Sequence, residues 1–241
     1  IARVGEAGCF GINAASFSIV IVTLIFLRLP FPATLDRRGS LGGSVLAGVT
    51  FLRGQPDLLR MIGILSLCSL VFAPYVVVPV FARDVLHVDA TGLGLLMAAV
   101  GVGAVGGGLL AAGNQGTRRL AWLIGASLVF GLGQIAFAFS SAFALSVLLL
   151  AVGGAAFVVS QSLTNSLLQL HTPGELRGRV LSFYALLSIG SGRLGGLLIG
   201  AGASVWSAPL ALAGGAALCL LGICALSPPM LLSRSNRDGQ G

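Results

Sequence analysis

The sequence contains no lysine and few charged residues of either sign. Charged side chains make up 9% of the 241 residues, and all 14 basic residues are arginines. A soluble domain carries about 25% charged residues, because water must solvate its surface. A chain with 56% hydrophobic residues therefore excludes a soluble enzyme and a nucleic-acid-binding module. The composition predicts a polytopic, all-α membrane protein whose main partner is the lipid bilayer.

The groups that intramembrane chemistry needs are also missing. No aspartate or glutamate lies within a long apolar stretch, and His87 and His171 fall between such stretches. A proton relay needs carboxylates at depth, so it would require residues from outside this chain. The four cysteines form no C-x-x-C pair of the kind that indicates a zinc site or redox motif. We therefore expect no enzymatic activity, no cofactor and no metal site.

Long apolar stretches dominate what is present. A helix needs about 20 apolar residues to cross a bilayer. Seven stretches meet this length, namely 8–27, 61–82, 92–113, 120–139, 142–165, 180–203 and 206–228. No charge occurs between Arg119 and Glu175, a distance too long for one span, so Ser140 and Ser141 are predicted to form a turn.

The arginines predict the orientation of these spans. Eleven lie in the loops 28–60, 114–119 and 166–179 or in the C-terminal segment, whereas Arg3 and Arg83 lie on the opposite side. Cytoplasmic loops carry the excess of basic residues. The pattern predicts a protein of the cytoplasmic membrane, with the N-terminus of this chain outside and its C-terminus in the cytoplasm.

Residues at helical spacing predict where helices pack. Two series of small residues recur every four positions, Ala99, Gly103, Gly107 and Ala111 in the third span, and Ser188, Gly192, Gly196, Gly200 and Ser204 in the sixth. Such residues let helix backbones approach closely. A third series is apolar and predicts a short amphipathic helix on the inner surface, namely Val45, Leu46, Val49 and Leu52.

Prolines and polar residues interrupt the apolar spans. Pro74 and Pro79 each remove a backbone hydrogen bond and are predicted to kink the second span. Such a kink either borders a substrate path or reflects the ordinary frequency of proline in membrane helices. The polar residues either bond neighbouring helices or converge on a cavity. They are Gln161 and Asn165 on the fifth span, and Ser66, Ser69 and Tyr75 on the second.

Arg193 is the only charged residue inside a predicted span. It lies 14 residues after Arg179, which is about 21 Å along a helix and at or past the middle of a core about 30 Å thick. An arginine there is costly unless it faces water or a partner, so Arg193 is a candidate for lining a cavity. The alternatives are snorkelling to the outer interface and an ion pair with a carboxylate outside this chain.

Two motifs are the most specific in the chain, Val-Phe-Ala-Arg-Asp at 80–84 and Pro-Gly-Glu-Leu-Arg-Gly-Arg-Val at 173–180. They resemble the major facilitator superfamily and, within it, the bacterial efflux branch of enterobactin-type siderophore exporters and macrolide efflux proteins. Similar stretches at 11–17, 92–103 and 165–169 extend the resemblance over nearly the whole chain.

The resemblance implies that the seven spans correspond to helices six to twelve of a twelve-helix transporter. Such transporters work by alternating access between two six-helix bundles. Residues 1–28 would then be the last helix of the N-terminal bundle, 29–59 a cytoplasmic inter-bundle loop, 60–228 the C-terminal bundle and 229–241 a cytoplasmic tail. A chain that begins with Ile1 agrees with the expectation that most of the N-terminal bundle is missing.

The residues and the resemblance together suggest which positions take part in transport. Candidates for substrate binding are Tyr75, Gln161, Asn165 and Arg193, and candidates for gating are Arg118, Arg119, Glu175, Arg177 and Arg179. The 113–119 loop keeps the arginine pair of the superfamily's cytoplasmic motif but lacks its aspartate. The 175–179 loop is therefore the better gate candidate, and the alternative is that its charges only set topology.

These features predict the efflux of a small molecule, such as a siderophore or a drug, by alternating access. The alternative is a membrane protein that does not transport, either a truncated remnant or an assembly subunit that needs a partner. Neither interpretation involves a nucleic acid.

Overall fold

The computed structural model describes residues 5–26, 48–72, 74–114, 116 and 118–238. Every regular element in these ranges is helical, which confirms the all-α prediction. The helices are α1 Gly5–Phe26, α2 Pro56–Val71, α3 Pro74–Asp84, α4 Ala90–Gly113, α5 Arg119–Ala138, α6 Phe143–His171, α7 Gly174–Val205 and α8 Ala208–Asp238. Residues 48–53 form a further helical segment before α2.

Five helices are long and apolar enough to cross a membrane. They are α4, α5, α6, α7 and the Ala208–Ser227 part of α8. The prediction of seven spans is not confirmed, because Asn13–Phe26 of α1 qualifies only as a shorter apolar helix. The predicted span 61–82 is wrong as a continuous helix, since it is divided between α2 and α3. At the C-terminus, α8 continues to Asp238, through the segment predicted as a tail.

The division between α2 and α3 has a local cause. Phe72 ends α2 with a non-helical ψ of 81°, and its N–H donates to the Cys68 carbonyl at 2.9 Å. Pro74 has no N–H, so it cannot donate to the Leu70 carbonyl as the next turn of a helix would require. The predicted disturbance at Pro74 is therefore confirmed and goes beyond a kink, whereas Pro79 lies inside α3 without ending it.

The chain divides into two compact units, 1–40 and 41–241. Helix α1 belongs to the first unit. Its Ser18 and Thr23 hydroxyls donate to the carbonyls of Ala14 and Ile19, one turn earlier. These two hydroxyls are thus satisfied within the helix itself, as a lipid environment requires. The predicted residues Val45 and Leu46 lie outside the described residues.

In the second unit, α6 packs against both α4 and α5, while α2 packs against α7 and α8. Contacts between α5 and α8 join these two groups. Three phenylalanines fill the junction where α2 ends, with ring centroids 4.0 Å apart for Phe72 and Phe157 and 5.7 Å apart for Phe130 and Phe157. The 48–53 segment adds Leu52, which is 1% exposed, to the same core.

Glycines set the closest helix contacts. A Cβ atom on Gly103 of α4 would lie 1.9 Å from the Ala151 carbonyl oxygen of α6, so the predicted stripe on α4 is confirmed as a packing face. On α7 the closest approach is made by Gly195, whose Cβ would lie 1.7 Å from the Leu70 oxygen. Gly195 lies outside the series predicted for this span, and Gly192 of that series has only ordinary contact with Ser69.

The turns between helices are closed by short polar side chains. Ser140 is buried between α5 and α6, and its hydroxyl lies 2.9 Å from the Ser146 hydroxyl, which confirms the predicted turn. Between α3 and α4, Asp89 caps the first turn of α4 by accepting a hydrogen bond of 2.9 Å from the Gly92 N–H. Asp89 thus satisfies a backbone N–H that would otherwise lack a partner at a helix end, whereas Ser140 and Ser146 pair their hydroxyls with each other.

The cap at Asp89 gives a first prediction. We expect Asp89→Ala to lower the free energy of unfolding by about 1 kcal/mol, because a first-turn N–H of α4 loses its acceptor. The melting temperature of the purified protein should fall by roughly 2–4 °C. Asp89→Asn keeps an acceptor oxygen and should melt close to the unsubstituted protein. Equal losses for alanine and asparagine would show that the cap does not stabilise α4.

Candidate functional site

A polar cluster lies where α6 meets α7. Tyr184 of α7 is 7% exposed, and its hydroxyl donates to the Gln161 carbonyl oxygen of α6 at 3.5 Å. The side chains of Asn165 and Ser188 are polar neighbours of the same hydroxyl. The structure therefore brings together the predicted residues Gln161 and Asn165, and it adds Tyr184 to them.

On α6 the polar residues follow one face of the helix. Gln161, Asn165 and Gln169 are spaced one turn apart, and the Gln169 amide donates to the Asn165 side-chain oxygen. The Gln161 side chain is exposed and Asn165 is half-buried. This stripe can offer both hydrogen-bond donors and acceptors to a molecule that reaches the exposed side of α6.

Helix α2 also carries a buried polar group. The hydroxyl of Ser66 has no hydrogen-bond partner among the described residues. One turn further along, α2 packs closely against α7, where a Cβ on Gly195 would meet the Leu70 carbonyl. A buried polar group without a partner needs an explanation, and a bound water or ligand is one such explanation. Polar groups thus occur on α2, α6 and α7, three helices that pack against one another.

The other two predicted substrate residues are placed differently. Tyr75 lies in α3, but its side chain is outside the described residues. Arg193 is exposed on α7, and no hydrogen bond or ion pair joins it to a described residue. Because nine residues separate it from Tyr184, Arg193 points about 180° away around the helix. The structure does not bring Arg193 to the α6–α7 cluster.

The predicted gate arginines 118 and 119 have different surroundings. Arg119 Nη1 donates to the Ser166 hydroxyl at 3.0 Å, which connects the start of α5 to α6. It lines a cavity of about 500 Å³ together with Ser162 and Asn114, whose side-chain nitrogen is buried and has no partner in the described part of the chain. Arg118 is exposed and lines a separate, largely aliphatic cavity. Only Arg119 therefore lies in a polar pocket suited to an anionic group.

The third part of the predicted gate lies in the first turns of α7. Glu175 is exposed near the N-terminus of this helix, where a negative charge is favoured by the helix dipole. Arg177 is exposed, and Arg179 is half-buried beside Gly48, where an added Cβ would lie 3.1 Å from the Arg179 Cβ. Within the described ranges, no ion pair joins these three charges to one another.

The Val-Phe-Ala-Arg-Asp motif combines a buried half with an exposed half. Phe81 is fully buried and stacks on Phe137 of α5 at 4.8 Å, whereas Arg83 and Asp84 form an exposed ion pair. The hydrogen bonds from Arg83 lower the pKa of Asp84. The motif thus anchors α3 to the bundle through its aromatic ring and ends the helix with a charged pair.

Sequence reasoning missed Tyr184 as a site residue and treated Ser188 only as a small packing residue. The available signal was that Tyr184 is one of only two tyrosines in the chain. A buried tyrosine hydroxyl usually finds a hydrogen-bond partner. The partner, a backbone carbonyl on α6, has no side-chain signature in the sequence.

Comparisons with known proteins identify the class of protein to which this bundle of helices belongs. The chain belongs to the transmembrane secretion effector family of the major facilitator superfamily, whose pattern matches residues 1–238. This confirms the resemblance found in the motifs, and it places the chain among membrane transporters rather than enzymes.

Similar proteins include the enterobactin exporter EntS of Escherichia coli O81 (strain ED1a), of Escherichia coli O157:H7 (strain EC4115 / EHEC) and of Shigella boydii serotype 18 (strain CDC 3083-94 / BS512). Each is 30% identical to this chain over 235 residues, which cover 94% of the chain and 54% of the relative. The chain thus spans about half the length of the curated relatives it matches.

Proposed function

We propose that this chain forms part of an exporter that moves a small molecule, such as a siderophore or a drug, out across the cytoplasmic membrane by alternating access. Membership of a secretion effector family and similarity to proteins named enterobactin exporters support this proposal. The observation that carries it is the polar contact between α6 and α7, from the Tyr184 hydroxyl to the Gln161 carbonyl, since transporters build their sites from several helices at depth.

In this proposal the α6–α7 cluster belongs to the substrate cavity. Gln161 and Asn165 bind the substrate, and Tyr75 on α3 contributes from the neighbouring helix. Arg193 faces the surface of α7 that has no described partner, where it binds an anionic group of the substrate or of a bundle outside this chain. A second helical bundle, which the proposal assigns to the N-terminal half of the transporter, closes the other side of the cavity.

The gate in this proposal is cytoplasmic, with the N-terminus of the chain outside and the C-terminus inside. Arg119 holds α5 to α6 through Ser166, and Glu175, Arg177 and Arg179 supply charges at the start of α7. Because these α7 charges do not pair with one another in the described ranges, they are available to a partner segment in one state of the cycle. In this proposal, residues 29–59 form the inter-bundle loop.

Efflux by the intact protein tests this function. The protein is expressed in a bacterial strain that lacks its main drug exporters, and retention of labelled catecholate siderophores and lipophilic drugs is measured over time. We expect lower retention of at least one compound, and we expect Gln161→Leu to slow its export about tenfold. Gln55→Leu is the matched control, because Gln55 is an exposed glutamine outside the polar cluster.

Two results would contradict the proposal. The first is that no compound leaves the cells faster than from cells without the protein, although it is inserted in the membrane. This favours the alternative, a membrane protein that does not transport. The second is equal export by the Gln161→Leu and Gln55→Leu variants, which would remove the α6–α7 cluster from the substrate path.

A further inference from the structure

A long groove separates α4 from α5. Both helices pack against α6, but in the described part of the chain they do not pack against each other. The space between them has a volume of about 560 Å³. Its lining is almost entirely aliphatic and includes Leu110, Ala126, Val129, Val152, Ala156 and Val159.

The groove has one charged end. Arg118, the residue before α5, lines it together with Trp122, which lies one helical turn further and is 49% exposed. Arg119 turns instead to Ser166 on α6. The two neighbouring arginines therefore face different surfaces, and the positive charge of Arg118 lies at the mouth of an apolar groove.

The dimensions of the groove fit one leaflet of a bilayer. Eleven residues separate Arg118 from Val129, the lining residue furthest along α5, and this corresponds to about 16 Å at 1.5 Å per residue. Half of a hydrocarbon core about 30 Å thick measures about 15 Å. The charged end then lies at the level of the lipid headgroups, where tryptophan is also enriched.

We propose that this groove binds an anionic phospholipid, with one acyl chain between α4 and α5 and its phosphate at Arg118. Charge complementarity selects the headgroup, because a guanidinium pairs bidentately with phosphate oxygens. The apolar walls of the groove favour the acyl chain of the lipid over water. The site is separate from the polar cluster, since Gln161 lies two residues after Val159 and therefore about 200° around α6. The proposal does not depend on the transported substrate.

Native mass spectrometry of the intact protein in detergent tests this inference. Phosphatidylglycerol and phosphatidylcholine with identical acyl chains are added at equal concentration, and the fraction of protein that retains each lipid is compared. Arg118→Gln removes the charge. Gly125→Leu fills the groove, because no atom lies within 4 Å of the position that a Cβ on Gly125 would take.

Matched variants control for charge and size. Arg53→Gln removes an exposed arginine that does not line the groove, and Gly101→Leu adds the same side chain at an exposed glycine of α4 with open space around it. We expect Arg118→Gln to reduce bound phosphatidylglycerol about fivefold, the factor expected for roughly 1 kcal/mol per arginine at an anionic surface. Gly125→Leu should reduce both lipids, and the two controls should reduce neither.

The proposal is overturned if Arg118→Gln retains as much phosphatidylglycerol as Arg53→Gln, or if the unsubstituted protein retains both lipids equally. It is also overturned if Gly125→Leu and Gly101→Leu retain lipid alike. Should Gly125→Leu fail to fold, the comparison between Arg118→Gln and Arg53→Gln decides alone, because both arginines are exposed and their replacement leaves the core unchanged.

Discussion

Replacing Gly195 by alanine is expected to lower the melting temperature of the protein by about 6–12 °C. The added Cβ would lie 1.7 Å from the Leu70 carbonyl oxygen and 2.4 Å from its carbon, so α2 and α7 have to separate. Forcing atoms into a closely packed contact costs about 1–3 kcal/mol or more, and a backbone contact cannot be relieved by a rotamer change. About 3 kcal/mol corresponds to this shift in a chain of this size.

The same reasoning applies to Gly103, whose Cβ would lie 1.9 Å from the Ala151 carbonyl oxygen. Each variant has a control on its own helix, because Gly190 on α7 and Gly101 on α4 have open space at the Cβ position. Gly190→Ala and Gly101→Ala should melt within about 2 °C of the unsubstituted protein, or slightly higher, since alanine favours the helix. Melting temperatures for Gly195→Ala or Gly103→Ala that match those of the controls would disprove the close contacts.

Arg119→Gln is expected to reduce efflux about tenfold while membrane abundance stays within about twofold. The hydrogen bond from Arg119 to Ser166 is charge-assisted and measures 3.0 Å. We place this bond in one state of the transport cycle only, so its loss shifts the balance between states. Bonds to charged groups contribute about 1.5–3 kcal/mol, and about 1.4 kcal/mol corresponds to a factor of ten. The measurement is the initial rate of substrate loss from preloaded cells expressing the intact protein.

A double-mutant cycle separates this contact from the other effects of Arg119. Ser166→Ala removes the acceptor, and the double variant Arg119→Gln/Ser166→Ala should lose little more than Arg119→Gln alone, because the two residues act through one bond. Arg53→Gln controls for the loss of one positive charge on the side predicted to be cytoplasmic. Fully additive losses in the double variant would show that Arg119 does not act through Ser166.

The apolar stretches predicted the helices well where hydropathy and caps agree. Helix α4 begins at Ala90, two residues before the predicted start, because Asp89 supplies a cap. Helix α6 was predicted to end at 165 and continues to His171. Polar residues such as Gln169 lower the mean hydropathy and therefore end a predicted span. They do not end a helix, because its backbone hydrogen bonds do not depend on side-chain polarity.

Contacts between helices were the part that the sequence predicted least. The stripe containing Gly103 was predicted correctly, whereas the closest contact of α7 uses Gly195 rather than a member of the predicted series. Which of several neighbouring glycines meets a partner depends on the crossing angle and register of two helices. Neither quantity is encoded in one helix alone.

The candidate site was partly predictable for the same reason. Gln161 and Asn165 were evident as polar residues one turn apart in an apolar span. Tyr184 and the buried hydroxyl of Ser66 gain their meaning only from the packing of α7 and α2 around α6. The roles of these residues in transport, and those of Tyr75, Arg193 and the proposed gate, stay predictions.

The length of α6 has a consequence for where its C-terminal end lies. Its 29 residues extend about 43 Å, well beyond a hydrocarbon core of about 30 Å. Tilting alone would have to reach about 46° to hide the excess, which is outside the usual range of roughly 0–40°. At an average tilt of about 20°, some 11 Å of the helix, or two turns, extends past the acyl chains. The polar residues of α6 lie towards its C-terminal end, so we expect the excess at that end, with Gln169 and His171 among headgroups and water. A solute would then meet the Gln169 amide before it enters the membrane.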